Sequence, residues 1–256
     1  ASRPGVQNLK LNYAPNPDTT GKFTKKGNNR LTYEGALINN KQKFAFEVIC
    51  LPVGGKLVDL NDGLQVVVAD EVLFIVAGAT DYKMNFDPDF TDALAYVGES
   101  PELKTGRALA NAVNKSYDEL LKAHLLDYQT IFDRVSINLG KTDSELDKLP
   151  TDKRLIRYQK GTEDFGLEEL YYQYGRYLLI ASSREGSMPA NLQGMWHNNV
   201  DGAWRIDYHN NINLQMNYWP VSATNMNECA RPLIDYIKSL VKPGEATAKA
   251  YYDARG

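Results

Sequence analysis

Apolar and polar positions along the chain follow two different periods. Between residues 30 and 82, runs rich in β-branched and aromatic side chains (31–38, 43–53, 63–70 and 71–80) are punctuated by Gly54-Gly55 and Asn61-Asp62-Gly63, as expected of short strands joined by tight turns. Within 43–50 the alternation sets Phe44, Phe46 and Val48 on one face and Ala45 and Glu47 on the other. The expectation is an antiparallel sheet forming part of a sandwich. After Tyr82 a stretch rich in Asp and Pro runs to Pro101, and the period then changes to that of helices.

Ser116 and Glu119 have the spacing of a capping box, with Ser at the N-cap and Glu three residues on. Beyond them Leu120, Leu121, His124, Leu125, Tyr128, Ile131 and Phe132 share one helical face. His124, on that face, is expected to be a packed, hydrogen-bonded structural histidine. Residues 167–182 read as a largely buried helix, 229–241 as a second helix stopped by Pro243-Gly244, and 246–252 as the start of a third. Neither end of the chain looks like a natural domain boundary, so a piece of a larger α+β multidomain protein is expected.

Composition narrows the function. The 256 residues carry a formal net charge of −3, and no run of Lys and Arg interleaved with aromatics offers a stripe for phosphates, which argues against a nucleic-acid partner. The two cysteines, Cys50 and Cys229, lack any CxxC or His-rich spacing, so they are expected to be buried free thiols rather than a zinc site or a disulfide framework. No cofactor or metal is indicated. No apolar run approaches the roughly 20 residues that span a bilayer, and the oligomeric state is not written in the sequence. GxGxxG, P-loop, HExxH and GxSxG patterns are absent, which removes nucleotide, metalloprotease and esterase chemistry.

The 16 tyrosines, three tryptophans and many asparagines after residue 190 suit saccharides, because aromatic faces pack on sugar C–H faces and amides both donate to and accept from hydroxyls. The stretch 191–220 concentrates them, and it is too polar for core yet too aromatic for an ordinary linker. Trp196 and Trp204 are candidate sugar platforms or core residues, while Trp219, followed by Pro220, is expected to anchor the next helix. In His209-Asn210-Asn211-Ile212-Asn213, an extended backbone would turn His209, Asn211 and Asn213 to one side. Three such polar tips could hold a hydrolytic water. Asparagines in such a run also brace loops through Asx turns, and the residues alone leave both readings open.

Three segments make the pattern specific: residues 175–184 (GRYLLIASSR), 189–196 (PANLQGMW) and 207–220 (DYHNNINLQMNYWP). Together with His124-Leu-Leu-Asp-Tyr-Gln, Asp133-Arg134-Val135 and the 47–81 sheet region, they resemble the α-L-fucosidases of glycoside hydrolase family 95. The resemblance covers most of the chain. It implies the C-terminal part of a β-sandwich domain over 1–105, a helical linker over 106–150, and the first helices of an (α/α)6 barrel over 151–256.

It also implies inverting hydrolysis of terminal α-L-fucosyl residues on an oligosaccharide, of the 1,2-α-L-fucosidase kind. Asn211 and Asn213 match the asparagines that orient the catalytic system, and His209 matches the position that contacts the 6-deoxy sugar. The general acid and base match positions after Gly256, so the 256 residues alone are expected to be inactive. Asp201 and Asp207 are the nearest local carboxylates, and bracing the loop is their expected role. An α-L-galactosidase of the same family and a non-catalytic carbohydrate-binding protein on the same scaffold are the alternatives. A secreted or periplasmic bacterial protein is the expected setting.

Overall fold

The computed structural model describes residues 5–92, 94–197 and 202–256. The chain divides into two compact units, Ala1–Lys122 with Lys242–Gly256, and Ala123–Val241. In the first unit the described strands are β1 (Gln7–Asn12), β2 (Thr19–Lys26), β3 (Arg30–Leu37), β4 (Lys43–Val53), β5 (Lys56–Leu60), β6 (Gly63–Ala69) and β7 (Glu71–Thr80). They form two antiparallel sheets, in the orders β2-β3-β4-β7 and β1-β6-β5.

The four runs expected to be strands are β3, β4, β6 and β7. The three without an apolar signature, β1, β2 and β5, are all edges of their sheets. Edge strands such as Thr19–Lys26, with the sequence TTGKFTKK, are held by backbone pairing on one side and tolerate the charges that discourage further pairing.

The two sheets share a core in which Leu31, Val48 and Cys50 meet Leu64, Val66 and Ala69. On the opposite face of β4 and β7 lies α1 (Pro101–Ala112), whose Leu109 packs with Ile49 and Ile75. The alternation along β4 therefore marks two interiors rather than an inside and an outside. Phe46 is 39% exposed, whereas Glu47 is fully buried beneath α1.

The Glu47 carboxylate is held from three directions. Thr105 Oγ1 of α1 donates to Oε1 at 2.5 Å, while Arg30 Nε at 2.6 Å and Thr32 Oγ1 at 3.3 Å donate to Oε2. Burial raises its pKa, but the hydrogen bonds from Thr105 and Arg30 and the guanidinium charge outweigh burial and leave it lowered.

The second unit is helical. Its described elements are α2 (Tyr117–Phe132, which begins in the first unit), α3 (Ser144–Asp147), α4 (Thr151–Gln159), α5 (Phe165–Ser182), a 3-10 turn at Ala203–Ile206, α6 (Asn213–Tyr218), α7 (Pro220–Ala223), a 3-10 turn at Asn227–Ala230, and α8 (Arg231–Ser239). The final helix, α9 (Val241–Tyr252), begins at the division between the units.

The capping box ahead of α2 is present. Glu119 N donates to Ser116 Oγ at 3.2 Å, and Ser116 N donates to Glu119 Oε2 at 2.7 Å. At the start of α5, Asp164 accepts from Leu167 N at 3.0 Å and is gripped by Arg154 through bonds of 2.6 and 2.9 Å. The buried Arg176 of α5 donates to the carbonyls of Ile131, Phe132 and Val135 at the end of α2. Carbonyls at and just past a helix C-terminus lack the full set of intrahelical donors, so one guanidinium ties α5 to the terminus of α2.

The helical core is built from Ile131, Leu179, Ile180, Ala190, Leu214, Tyr218, Val221, Met226 and Cys229. It reaches α2 only at the helix's C-terminal end. His124 is therefore exposed, with its ring stacked 6.2 Å from Tyr128 instead of packed in a core. Likewise α5 is half-buried rather than largely buried, with Tyr171 and Tyr174 open to solvent. Pro243 and Gly244 do not stop a helix. They lie in the first turns of α9, where a proline forfeits no intrahelical hydrogen bond, and the break falls instead at Leu240. Cys50 and Cys229 are both buried free thiols, as expected.

Because the folded pKa of Glu47 is depressed, its stabilisation is complete above the ordinary glutamate range, about 4.3, and disappears as pH falls through the lower folded value. Glu47→Ala leaves a charge-paired site half empty and should cost on the order of 3 kcal/mol in urea unfolding at neutral pH. Glu47→Gln should flatten the acid limb of the stability–pH curve, and an unchanged acid limb would refute this role.

Candidate functional site

Helix α5 ends at Ser182, and the chain then runs through the buried Ser183 into Pro189-Ala190 and the tight turn 191–194. A chain of hydroxyls fixes this course. Ser183 Oγ donates to Cys229 O at 2.8 Å and lies 2.7 Å from Tyr218 Oη, while Ala190 N donates to the same Tyr218 oxygen at 2.8 Å. With the Ser183 proton committed to Cys229 O, the Tyr218 proton must point to Ser183 Oγ. Burial pushes the Tyr218 pKa up, which keeps that proton in place. A second tyrosine assists, since Tyr208 Oη donates to Pro189 O at 2.7 Å and its ring packs 4.9 Å from Tyr236.

In the turn that follows, Gly194 N donates to Asn191 O at 3.0 Å, and Gly194 adopts φ 70°. A Cβ at Gly194 would lie 2.8 Å from the Trp196 ring, so glycine there supplies the left-handed backbone and also lets the indole lie close. Trp196 is tilted against Tyr177 at 6.5 Å and remains 47% exposed.

The second cluster lies on the return of the loop. Trp204, Arg205 and Ile206 all have positive φ, near 57°, a conformation that costs side-chain-bearing residues energy. Trp204, 75% exposed, meets the His209 ring edge-on at 6.0 Å. His209 Nδ1 pairs with Asp207 Oδ1. An ionised carboxylate only accepts, so this contact places the proton of a neutral ring on Nδ1 and leaves Nε2 with a free lone pair. Asp207 is thus paired within the loop, an arrangement compatible with the bracing expected of it, while Asp201 lies outside the described residues.

The run 209–213 is not extended. Residues 210–212 form a turn in which Leu214 N donates to His209 O at 3.1 Å, and Asn213 opens α6. The backbone prefers this because Leu214 and Tyr218, four residues apart on α6, are both pulled into the core. Asn211 and Asn213 are exposed, and Asn211 Oδ1 accepts from Ile212 N at 3.1 Å. Their proximity to His209 comes from a helix entry rather than from a strand face. Trp219 stands at the N-cap of α7, which Pro220 opens, but its indole is 64% exposed rather than buried as an anchor. Among the described residues no group of His, Cys, Asp or Glu side chains could hold a metal ion, and no helix is long and apolar enough to cross a membrane.

The glycosyl hydrolase family 95 catalytic domain matches residues 116–256, more than half of the chain. The chain belongs to glycosyl hydrolase family 95. The matched region contains the whole Trp196–Trp219 loop and the helices that carry it. This family 95 chain is similar to "Probable alpha-fucosidase A" of Aspergillus niger, 33% identical over 252 residues, covering 97% of this chain and 31% of that protein. It is also similar to "Alpha-L-fucosidase 2" of Arabidopsis thaliana, 38% identical over 195 residues, covering 75% of this chain and 22% of that protein. "Probable alpha-fucosidase A" of Aspergillus oryzae is 36% identical over 187 residues, covering 72% of this chain and 26% of that protein. The chain therefore spans about a third or less of the length of the curated relatives it matches.

Sequence reasoning missed Ser183, Tyr208 and Tyr218 as the groups that position the loop. The Leu214–Tyr218 spacing was the available signal for Tyr218, whereas nothing local marks Ser183. Tyr218→Phe strands the Ala190 N–H and should cost roughly 1–3 kcal/mol in denaturant unfolding. Ser183→Ala in the same background should add much less than it does alone, because the two hydroxyls form one chain, and full additivity would disprove the coupling.

Proposed function

We propose that this protein is a glycoside hydrolase that removes terminal α-L-fucosyl residues from oligosaccharides, of the 1,2-α-L-fucosidase kind, with inversion at the anomeric carbon. Family membership and the fucosidase names of its relatives support the reaction class. The observation that carries the site assignment is the Asp207–His209 pair, edge-on to Trp204 and next to the asparagine turn that enters α6.

In this reading the His209 ring, locked by Asp207, forms a wall against the 6-deoxy end of the fucose, and Trp204 offers a flat apolar surface to the ring. Asn211 and Asn213 orient the attacking water, since amides donate and accept without taking its proton. Inversion needs a carboxylic acid to protonate the leaving oxygen and a carboxylate to deprotonate the water, separated by roughly 6.5–9.5 Å. The proposal places both groups outside these 256 residues. The division into a sandwich segment (1–105), a helical linker (106–150) and the opening of an (α/α)6 barrel (151–256) belongs to the same proposal, as does a secreted setting.

In the full-length protein, Asn211→Asp and Asn213→Gly should lower kcat more than they raise KM, because they disturb an oriented water rather than ground-state contacts. A loss confined to KM would remove the asparagines from that role. His209→Thr opens space for a 6-hydroxyl and should shift the ratio of kcat/KM for α-L-fucoside over α-L-galactoside by about one to two powers of ten on a common aglycone. A fixed ratio with both rates reduced would make His209 a loop brace.

A further inference from the structure

Arg134 and Arg184, each within a segment that carries the family resemblance, meet in one part of the helical unit. Arg184 directly follows Ser183, and Glu228 directly precedes Cys229. The 2.8 Å bond from Ser183 Oγ to Cys229 O therefore has a charged residue next to each of its ends. Both charges are paired with the chain of α2 and its end. Arg184 Nη2 pairs with Asp127 Oδ1. Glu228 accepts from both terminal nitrogens of Arg134, Nη1 to Oε2 at 2.9 Å and Nη2 to Oε1 at 2.7 Å.

The two pairs are not equivalent. Asp127 is 65% exposed and meets Arg184 through one oxygen, a contact that constrains direction little. The Arg134–Glu228 pair is a two-bond fork, which fixes the planes of both groups as well as their separation. A third bond, from Arg134 Nε to Thr130 O at 2.7 Å, ties the guanidinium to the last turn of α2, where carbonyls lack the full set of intrahelical donors. The hydrogen bonds from Arg134 also hold the Glu228 carboxyl below the ordinary glutamate range, so the fork is ionised at neutral pH.

The turn that this fork reaches has little stiffness of its own. Asn227–Ala230 is a four-residue 3-10 turn in which Cys229 N donates to Met226 O at 2.9 Å and Arg231 N donates to Glu228 O, and such turns have poor hydrogen-bond geometry. Yet the Cys229 carbonyl must stay aimed at Ser183 for the Tyr218 proton to keep its direction. The fork adds little to stability, because the Glu228 side chain is 54% exposed and water solvates separated ions well. What it supplies is position.

We propose that Arg134 and Glu228 are positioning residues: their fork aims the Cys229 carbonyl at Ser183 and, through Ser183 and Tyr218, sets both the 189–196 segment and α6, which opens with Asn213. The effect on turnover rests on the function proposed above; the effect on the loop does not.

Two measurements on the full-length protein separate these layers. Amide hydrogen exchange reads the loop through Ala190, whose N–H is bonded to Tyr218, with Ile180 in the core of α5 as a control in the same unit. Glu228→Ala should speed Ala190 exchange at least about tenfold relative to Ile180. Arg134→Lys keeps the charge but cannot make the fork, and should do the same. Both variants should melt within about 3 °C of the wild type. Unchanged Ala190 exchange, equal acceleration at Ile180, full protection in Arg134→Lys, or a larger loss of melting temperature in both variants would overturn the positioning role.

The second measurement is steady-state hydrolysis of an aryl α-L-fucoside. Both variants should lower kcat about three- to tenfold and leave KM within about twofold, as displaced catalytic groups do. An unchanged kcat, or a change confined to KM, would overturn the link to turnover even if Ala190 responds. If the wild type hydrolyses no fucoside while Ala190 exchange responds to both substitutions, the hydrolase reading fails and the fork stands as the device that holds the loop.

Discussion

The candidate site depends on a short line of hydroxyls buried beneath it. Tyr218, Ser183 and the carbonyl of Cys229 share protons in one direction only, and the Ala190 amide closes the line from the other side. Each bond has modest net worth, about 1 kcal/mol, but every partner is buried, so none can be released to water without a penalty several times larger than the gain. The segment leaving α5 is thereby confined to one path. Everything the loop presents, from the 191–194 turn to Trp196, inherits its position from that confinement. Tyr218 also lies on α6, so the same bond sets the segment that starts the loop against the helix that ends it.

The first unit solves a similar problem with charge. Glu47 is buried between the sheet and α1, with Arg30 and Thr32 on the adjacent strand and Thr105 above it. Replacing the four groups with apolar ones could match them in stability, but an apolar helix face can slide over an apolar sheet. A carboxylate that needs Thr105 at one oxygen and Arg30 at the other fixes the azimuth of α1. In both units the apolar core supplies the driving force, and a few buried polar bonds choose among the packings it would allow.

Much of this was legible from the chain. The four core strands, the capping box before α2 and the two buried thiols follow from periodicity and composition, because each is governed by local or averaged preferences. Three edge strands were not, because backbone pairing rather than side-chain pattern holds them. The burial of Glu47 was not legible for a related reason: alternation along a strand reports two faces, and it cannot say that both are covered. His124 and the tyrosines of α5 read as interior because apolar periodicity marks a face suited to burial, whether or not a neighbour lies against it. At the candidate site, residue types singled out His209, Asn211 and Asn213, but through the wrong backbone geometry. A strand was inferred where the pull of Leu214 and Tyr218 into the core makes a helix start.

The left-handed run at Trp204, Arg205 and Ile206 bears on how the loop behaves in time. Three consecutive side-chain-bearing residues in that region store about 1–3 kcal/mol each, and the stored energy is returned when the segment opens. The free energy of local opening there lies correspondingly closer to zero than that of the α5–α6 core. In amide hydrogen exchange the indole-bearing side of the loop would trade its protons through brief excursions, while Ala190 and Ser183 wait for the whole unit to unfold. One wall of the site is thus slow and the other fast, an arrangement in which a ligand can enter without disturbing the residues that hold its far end.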